Sequence, residues 1–390
     1  MIHSLNAEKL LTELEKIEKD KVKADVVTYT TIINSLGSSG QIEKMMEVFE
    51  AMGKKEIKPN VVTYTAMLKT LGKAGKLNEM MEVFTKMQQE IPPNVVTYNT
   101  ILNILGNTGN LREMLSIFEN MESRQVNADV VSYTTVVSAL GRRDRVREMM
   151  QFYHKMQNQQ VRPNIMTYTC LIRTLGTNGK IADMMKVFDE MKNQQMKGDI
   201  VTFNTIINTL GTHGKIKEMM NIFEELEKNE VQPDTVTFNT IINTLGTYGK
   251  LEEMLTVFEK MQQSAMADVV SFTTVLHFLG NCGKIDEMMD VYKKMNELEI
   301  KPNEITFTTM IKALGAAHKI HEMVDLFDTM KALNVQPNVI TFNTAFSILI
   351  KENALDKLQS IHERMLELKV LPNSFTHVLL DAAKKKQNIQ

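Results

Sequence analysis

The chain has no tryptophan, only two cysteines and eight prolines in 390 residues, and 6% aromatics. Cys170 and Cys282 are too few for a disulfide framework and suit a reducing compartment. No apolar run approaches the roughly 18 residues that a membrane-spanning helix needs. Charge of one sign is missing too. Lys and Arg total 45 against 47 Asp and Glu, for a net charge of -2 and a pI near 6.5. No global field therefore draws in nucleic acid or an anionic membrane, and any polyanion must be held by local placement. The opening MIHSLNAEKLLTELEKIEKD is acidic and helix-patterned. It has the features neither of a signal peptide nor of an Arg-rich, acid-poor transit peptide.

What the chain has is repetition. Its clearest unit runs from Ile200 to Asp234 as IVTFNTIINTLGTHGKIKEMMNIFEELEKNEVQPD. The same pattern recurs over 26–60, 61–94, 95–129, 130–164, 165–199, 200–234, 235–268, 269–303, 304–338 and 339–373. Leu5–Asp25 reads as the second half of an earlier repeat, so that residues 1–25 form an N-terminal half-repeat or cap. Ser374–Gln390 reads as one closing helix with a basic tip at Lys384–Lys386. A length that would suggest two or three domains is thus expected to form one stack with a continuous core.

Each repeat is predicted to be two helices. Position 3 is always Thr or Ser, a suitable N-cap for the first helix, helix A. Apolar residues follow at helical spacing, as in Phe203, Ile206, Ile207 and Leu210. Glycine at position 12 in nine repeats and at position 15 in seven would end helix A and turn the chain into helix B. Helix B is amphipathic through Met219, Met220, Phe223 and Leu226, and all eight prolines lie in the connectors after it.

Most of the conspicuous residues read as core. Nineteen of the 24 aromatics occupy positions 4 and 24, on the apolar stripes. The 30 methionines cluster at positions 20, 21 and 27, where they fill gaps. Position 20 is Met in the same nine repeats that carry Gly at position 12, which predicts that the Met packs into the space the glycine leaves. LGTNGKI and LGTHGKI have the wrong spacing for a phosphate-binding loop and no Ser or Thr after the Lys. His318 and His321 lack a third ligand nearby and read as solvent-facing. No nucleophile, acid–base pair or metal set stands out, so the chain is expected not to be an enzyme and to need no cofactor.

Two positions exceed what packing requires. Position 5, in the first turn of helix A and off the apolar stripe, holds only Thr or Asn: Thr30, Thr65, Asn99, Thr134, Thr169, Asn204, Asn239, Thr273, Thr308 and Asn343. Neither is a strong helix former, and a freely varying exposed site would show Glu, Lys, Gln and Ala. Position 35, the last of the repeat, holds only Asn or Asp: Asn60, Asn94, Asp129, Asn164, Asp199, Asp234, Asp268, Asn303, Asn338 and Asn373. These are ordinary turn residues, which explains the type but not its joint restriction with position 5. Position 2 is always apolar: Val27, Val62, Val96, Val131, Met166, Val201, Val236, Val270, Ile305 and Ile340. A hydrophobic staple at the helix start would account for it. Position 16 is basic in seven repeats, and position 13 only at Lys73, Arg142 and Lys351.

A 35-residue helix pair with V-x-[TS]-[YF]-[NT] at its start, F-x-x-M in helix B and P-[DN] at its end resembles the pentatricopeptide repeat (PPR) of the P type, over residues 26–373. The resemblance implies an all-α, right-handed superhelical α-solenoid of antiparallel helix pairs. It implies sequence-specific binding of single-stranded RNA at one nucleotide per repeat, hence about 10 nucleotides. Positions 5 and 35 would read the base and position 2 would sandwich it, while a basic residue at position 13 (Lys73, Arg142, Lys351) would hold phosphate. The family's pairing assigns A to Thr/Asn, G to Thr/Asp, U to Asn/Asp and C or U to Asn/Asn, giving 5′-AAUAGUUAA(C/U)-3′. Chemistry agrees, because aspartate only accepts and so suits the imino N–H of G and U, whereas Asn also donates. Scarcity of basic residues at position 13 implies a shallow salt dependence, which position 16 would partly offset. The resemblance also implies a soluble monomer of mitochondrion or chloroplast that acts by occupancy in RNA stability, processing or translation, with no membrane and no small-molecule substrate. The alternative reading is a protein-binding helical scaffold with no base readout.

Overall fold

The computed structural model describes residues 24–387, so the half-repeat expected at Leu5–Asp25 lies outside them up to residue 23. Every regular element among the described residues is an α-helix. The described residues form two compact units, divided between Gly198 and Asp199. In the first unit the A helices are Val26–Ser38, Val61–Lys73, Val95–Thr108, Val130–Gly141 and Ile165–Thr177. The B helices between them are Ile42–Lys54, Leu77–Glu90, Leu111–Ser123, Val146–Asn158 and Ile181–Asn193. In the second unit the A helices are Ile200–Thr212, Thr235–Thr247, Val269–Asn281, Glu304–Ala316 and Val339–Lys351. Their B helices are Ile216–Lys228, Leu251–Gln263, Ile285–Glu297, Ile320–Ala332 and Leu355–Glu367, and Ser374–Gln387 closes the unit. Within each unit, helix A packs on its own helix B and on the next helix A, which makes each an α-solenoid stack.

Helix A starts three residues earlier than expected. The Asn or Asp at position 35 is the N-cap, in extended backbone, and helix A begins at position 1 of the next repeat. The Thr or Ser at position 3, expected to be the cap, is instead the third helical residue. Its N–H and hydroxyl both meet the cap, as when Thr237 N reaches Asp234 Oδ1 at 2.8 Å and Thr237 Oγ1 reaches it at 2.8 Å. In six of these helices the cap's own N–H also meets the position-3 hydroxyl, closing a capping box.

The interhelix turn follows the glycines. Gly214 sits at φ 71°, its N–H donates to Gly211 O at 3.0 Å and the Lys215 N–H donates to Leu210 O at 2.9 Å, which satisfies the last carbonyls of helix A. Where glycine is missing, Asp144, His318 and Asn353 take the same left-handed backbone, a region that Asp, Asn and His tolerate best among side chains with a Cβ.

Aromatics form the core, as their stripes imply. The position-24 ring of one repeat meets the position-4 ring of the next: Phe49–Tyr64 at 5.5 Å, Phe118–Tyr133 at 5.2 Å, Phe223–Phe238 at 5.8 Å and Phe258–Phe272 at 4.8 Å, all edge-to-face. These buried rings bolt each repeat onto its neighbour.

The position-12 glycines have a different neighbour from the one the Met correlation predicts. A Cβ on Gly211 would lie 2.6 Å from Thr244 Oγ1 of the next helix A, and 3.2 Å from Met219 Sδ. The same order holds at Gly141 and Gly280, where Thr174 and Ala313 stand closer than Met149 and Met288. The glycine primarily lets successive A helices approach, and the methionine closes the space behind it. Gly211→Leu is therefore expected to lower stability by about 1–3 kcal/mol through overpacking. In chemical denaturation, Thr244→Ala should recover more of the loss from Gly211→Ala than Met219→Ala does. The reverse ranking would restore the methionine as the decisive neighbour.

Candidate functional site

The A-helix N-termini gather the restricted positions. In eight repeats the side chain at position 5 and the cap at position 35 approach through the buried hydroxyl at position 3 of the next repeat. Asn204 Nδ2 donates to Asp234 Oδ1 at 3.1 Å, and Thr237 Oγ1 stands 2.6 Å from Asn204 Oδ1. Asn99 repeats this with Asp129 at 3.0 Å and Ser132 at 2.6 Å, and Asn343 with Asn373 at 3.3 Å and Thr376 at 2.8 Å. The threonines at position 5 use the same junction. Thr30–Thr63, Thr134–Thr167, Thr273–Thr306 and Thr308–Thr341 lie 2.7–2.8 Å apart, hydroxyl to hydroxyl, and Thr65–Thr97 lies at 3.0 Å. Thr30, Thr65, Thr273 and Thr308 also donate to the carbonyl four residues back, which leaves their oxygen to accept from the partner. Position 3 thus joins the two variable sites, a role its sequence reading as a cap concealed. Only its invariance as Thr or Ser hinted at a shared hydroxyl.

The seventh repeat departs from this pattern. Ser271 turns its hydroxyl to Asp268 O at 2.8 Å, and Asn239 Oδ1 is buried with no hydrogen bond. This repeat is one residue short in its connector, QQSAMAD. In the fifth pair, Thr169 lies in the first unit and Asp199 in the second.

The caps spend one side-chain atom on the fold. Oδ1 accepts the N–H of position 3 at Asn60, Asn94, Asp129, Asn164, Asp199, Asp234, Asp268, Asn303, Asn338 and Asn373. Among the described residues no hydrogen bond engages the second atom, a carboxylate oxygen in Asp and an amide nitrogen in Asn. Burial opposes ionisation of Asp234, but the Thr237 N–H and hydroxyl and the Asn204 amide outweigh it and hold the carboxyl below the usual range. Asp129 is lowered in the same way, burial being offset by Ser132 and Asn99. At neutral pH these two caps are pure acceptors.

Position 2 excludes the staple, because it lies inside the helix and faces outward. Val27, Val62, Val96, Val131, Met166, Val201, Val236, Val270, Ile305 and Ile340 are all 50–64% exposed. This regular exposure places the position-2 side chains on the surface and outside the core. Between consecutive members of this ladder lie clefts. One, of about 300 Å³, is lined by Val270, Thr273, Asn303 and Ile305, which are positions 2, 5 and 35 of one repeat and position 2 of the next. A neighbouring cleft is lined by Val236, Asn239 and Val270. Each of the two brings position-2 side chains and polar side chains of the A helices together.

The basic residues are largely committed elsewhere. Arg142 reaches back to Asn107 Oδ1 at 3.1 Å. Lys73 and Lys351 end their A helices. At position 16, Lys76, Arg145 and Lys284 pair with Glu79, Glu148 and Glu287 at 2.9, 2.6 and 2.8 Å. His318 and His321 face different partners in the following repeat, Glu352 and Lys357. Among the described residues no group of three or more His, Cys, Asp or Glu could hold a metal ion, and no helix is long and apolar enough to cross a membrane.

The sequence matches the PPR repeat family over residues 24–73, 93–141, 198–247, 267–316 and 307–351. It matches the pentatricopeptide repeat domain over 56–108 and 151–213, and the PPR repeat over 131–161 and 236–265. No curated protein matches. Among solved structures, the chain is similar to the pentatricopeptide repeat protein PPR10 from maize at 22% identity and TM-score 0.58, covering 97% of this chain and 59% of that one. It is also similar to PPR10 in complex with an 18-nt psaJ RNA element, at 23% identity and TM-score 0.50, covering 96% of this chain and 58% of that one. The chain thus spans about three fifths of the solved protein's length.

Two measurements test the junction. Thr237→Val should cost about 1–3 kcal/mol in chemical denaturation, because Asn204 Oδ1 and Asp234 lose a buried donor; Thr237→Ser should retain most of it, and an equal loss in both variants would refute the role of the hydroxyl. The pH dependence has a definite sign. A lowered folded-state pKa gives Asp234 a stabilising contribution that is complete above the ordinary carboxylate range and is lost as pH falls through the lowered value. The stability gap between wild type and Asp234→Asn should accordingly shrink on acidification, and a gap that widens would overturn this account.

Proposed function

Because the chain belongs to the pentatricopeptide repeat family, we propose that it binds single-stranded RNA, one nucleotide per repeat, with the base in the cleft between two position-2 side chains. The observation that carries this reading is the cleft lined by Val270 and Ile305 together with Thr273 and Asn303. Apolar walls 50–64% exposed to water suit the faces of a planar ring, and polar atoms with no protein partner suit its edge. PPR10, solved with RNA, supports the same reading by fold.

The proposed mechanism follows from proton bookkeeping at these polar side chains. An Asp cap presents a carboxylate oxygen and takes an imino N–H, as U and G offer. An Asn cap presents an amide that donates to the bare ring nitrogen of A or C. Position 5 adds the second discrimination, a hydroxyl in Thr or an amide in Asn. Taken through repeats 26–60 to 339–373, the pairs specify 5′-AAUAGUUAA(C/U)-3′, about 10 nucleotides. No bond in the RNA is made or broken in this reading. The bound segment is shielded from nucleases or kept out of a hairpin, which would alter the stability, processing or translation of its transcript in a mitochondrion or plastid.

Binding of labelled AAUAGUUAAC is expected to exceed that of a scrambled oligonucleotide of equal composition, measured by anisotropy at fixed salt. Equal affinities would favour a helical scaffold without base readout. Asn303→Asp should switch the preference at the eighth base from A to G, with each mismatch costing roughly 1–3 kcal/mol as at specific nucleic-acid sites. If the preference at that base stays put, the register is wrong.

A further inference from the structure

We infer that Phe375, on the closing helix Ser374–Gln387, is the second wall of the last base cleft, so that this helix takes part in binding as well as covering the core. The inference rests on the RNA-binding reading above. The junction beneath Phe375 duplicates that of the full repeats. Thr376 is fully buried, and its N–H donates to Asn373 Oδ1 at 2.9 Å. Its hydroxyl lies 2.9 Å from the same atom and 2.8 Å from Asn343 Oδ1. Asn343 Nδ2 completes the set on Asn373 Oδ1 at 3.3 Å. Thr376 stands to Asn343 and Asn373 as Thr237 stands to Asn204 and Asp234. The residue before Thr237 is Val236, a wall; the residue before Thr376 is Phe375.

Phe375 is 54% exposed, within the range of the aliphatic walls, whereas the rings at positions 4 and 24 are buried. One turn on, where a reading residue would sit, Val378 is 62% exposed and offers no hydrogen bond. The closing helix thus supplies a wall but no reader at this register. The opposite wall is Ile340. A ring stacks on any base, and stacking at single-strand sites changes affinity by roughly ten- to a hundredfold per base. The tenth nucleotide should therefore add more affinity than its Asn343/Asn373 pair alone would suggest.

The chain has no tryptophan, so Phe375→Trp installs a single fluorescent reporter at the site. It should be quenched by AAUAGUUAAC and much less by AAUAGUUAA, which lacks the tenth base. In the wild type the longer oligonucleotide should bind about tenfold or more tightly. Phe375→Ala should abolish that difference and leave the shorter one's affinity unchanged, with thermal unfolding confirming an intact fold. Equal quenching by both, equal wild-type affinities, or an equal loss for both in Phe375→Ala would overturn the inference. If the wild type fails to distinguish AAUAGUUAA from its scramble, the RNA reading itself falls. Retained discrimination with no effect of Phe375 sinks only this proposal.

Discussion

The structure depends on one hydrogen-bonded junction, repeated along each unit: the Oδ1 of the last residue of a repeat capping the next A helix. A helix begins with four N–H groups that its own carbonyls cannot reach. Here a single side-chain oxygen, such as Asp234 Oδ1, accepts the N–H of Thr237 and shares that residue's one hydroxyl proton with Asn204 Oδ1. That hydroxyl is buried and reaches back to position 5 of the preceding repeat. One atom therefore fixes where a helix starts, how it meets its neighbour, and how the position-5 side chain is held.

This junction explains the restricted alphabet at both sites. Asn and Asp cap about equally well, better than most residues, and both keep a second atom on the same carbon. The cap needs only Oδ1, so exchange of oxygen for nitrogen at the second atom keeps the cap itself in place. Position 5 must in turn accept from a buried hydroxyl, which Thr does with its oxygen and Asn with its carbonyl. A Val or Leu there would strand the hydroxyl of Thr63 or Thr237 without an acceptor on that side. Folding thus limits each site to a pair of residue types and leaves the choice within the pair free. That freedom is what a base-by-base reader requires, since its specificity can drift without loss of stability.

Much of this was legible in the sequence, and the misreadings have physical causes. Period and glycine placement predicted the helix pairs, and the aromatic stripes predicted the buried rings such as Phe223 against Phe238. Position 3 was misread because Thr and Ser are themselves good caps; only the backbone shows that Asn or Asp one turn earlier holds that place. Position 2 was explicable as a staple until its exposure placed it on the outside. The Gly–Met correlation was real, yet Gly211 faces Thr244 more closely than Met219 because position 10 varies in identity and so leaves no correlation to see. The orphaned carbonyl of Asn239 could not be read at all, since it arises from how one serine turns.

The charge distribution bears on the quality of recognition. Phosphate contacts are blind to sequence, so cations along a binding face raise affinity for right and wrong targets alike. In this chain Lys76, Arg145 and Lys284 are engaged by glutamates in the first turn of their own B helices, and Arg142 by Asn107. Those glutamates also favour the positive end of the helix dipole, so the pairs serve the fold. Exposed cations remain on the A helices at Lys69, Lys73, Arg173, Lys312 and Lys351, too few and too scattered to form a continuous track. On the proposed reading, binding energy must then come mainly from the clefts, where it depends on the identity of the base. On that reading, a near-neutral chain gives up electrostatic reach and gains in return a larger ratio of specific to non-specific binding.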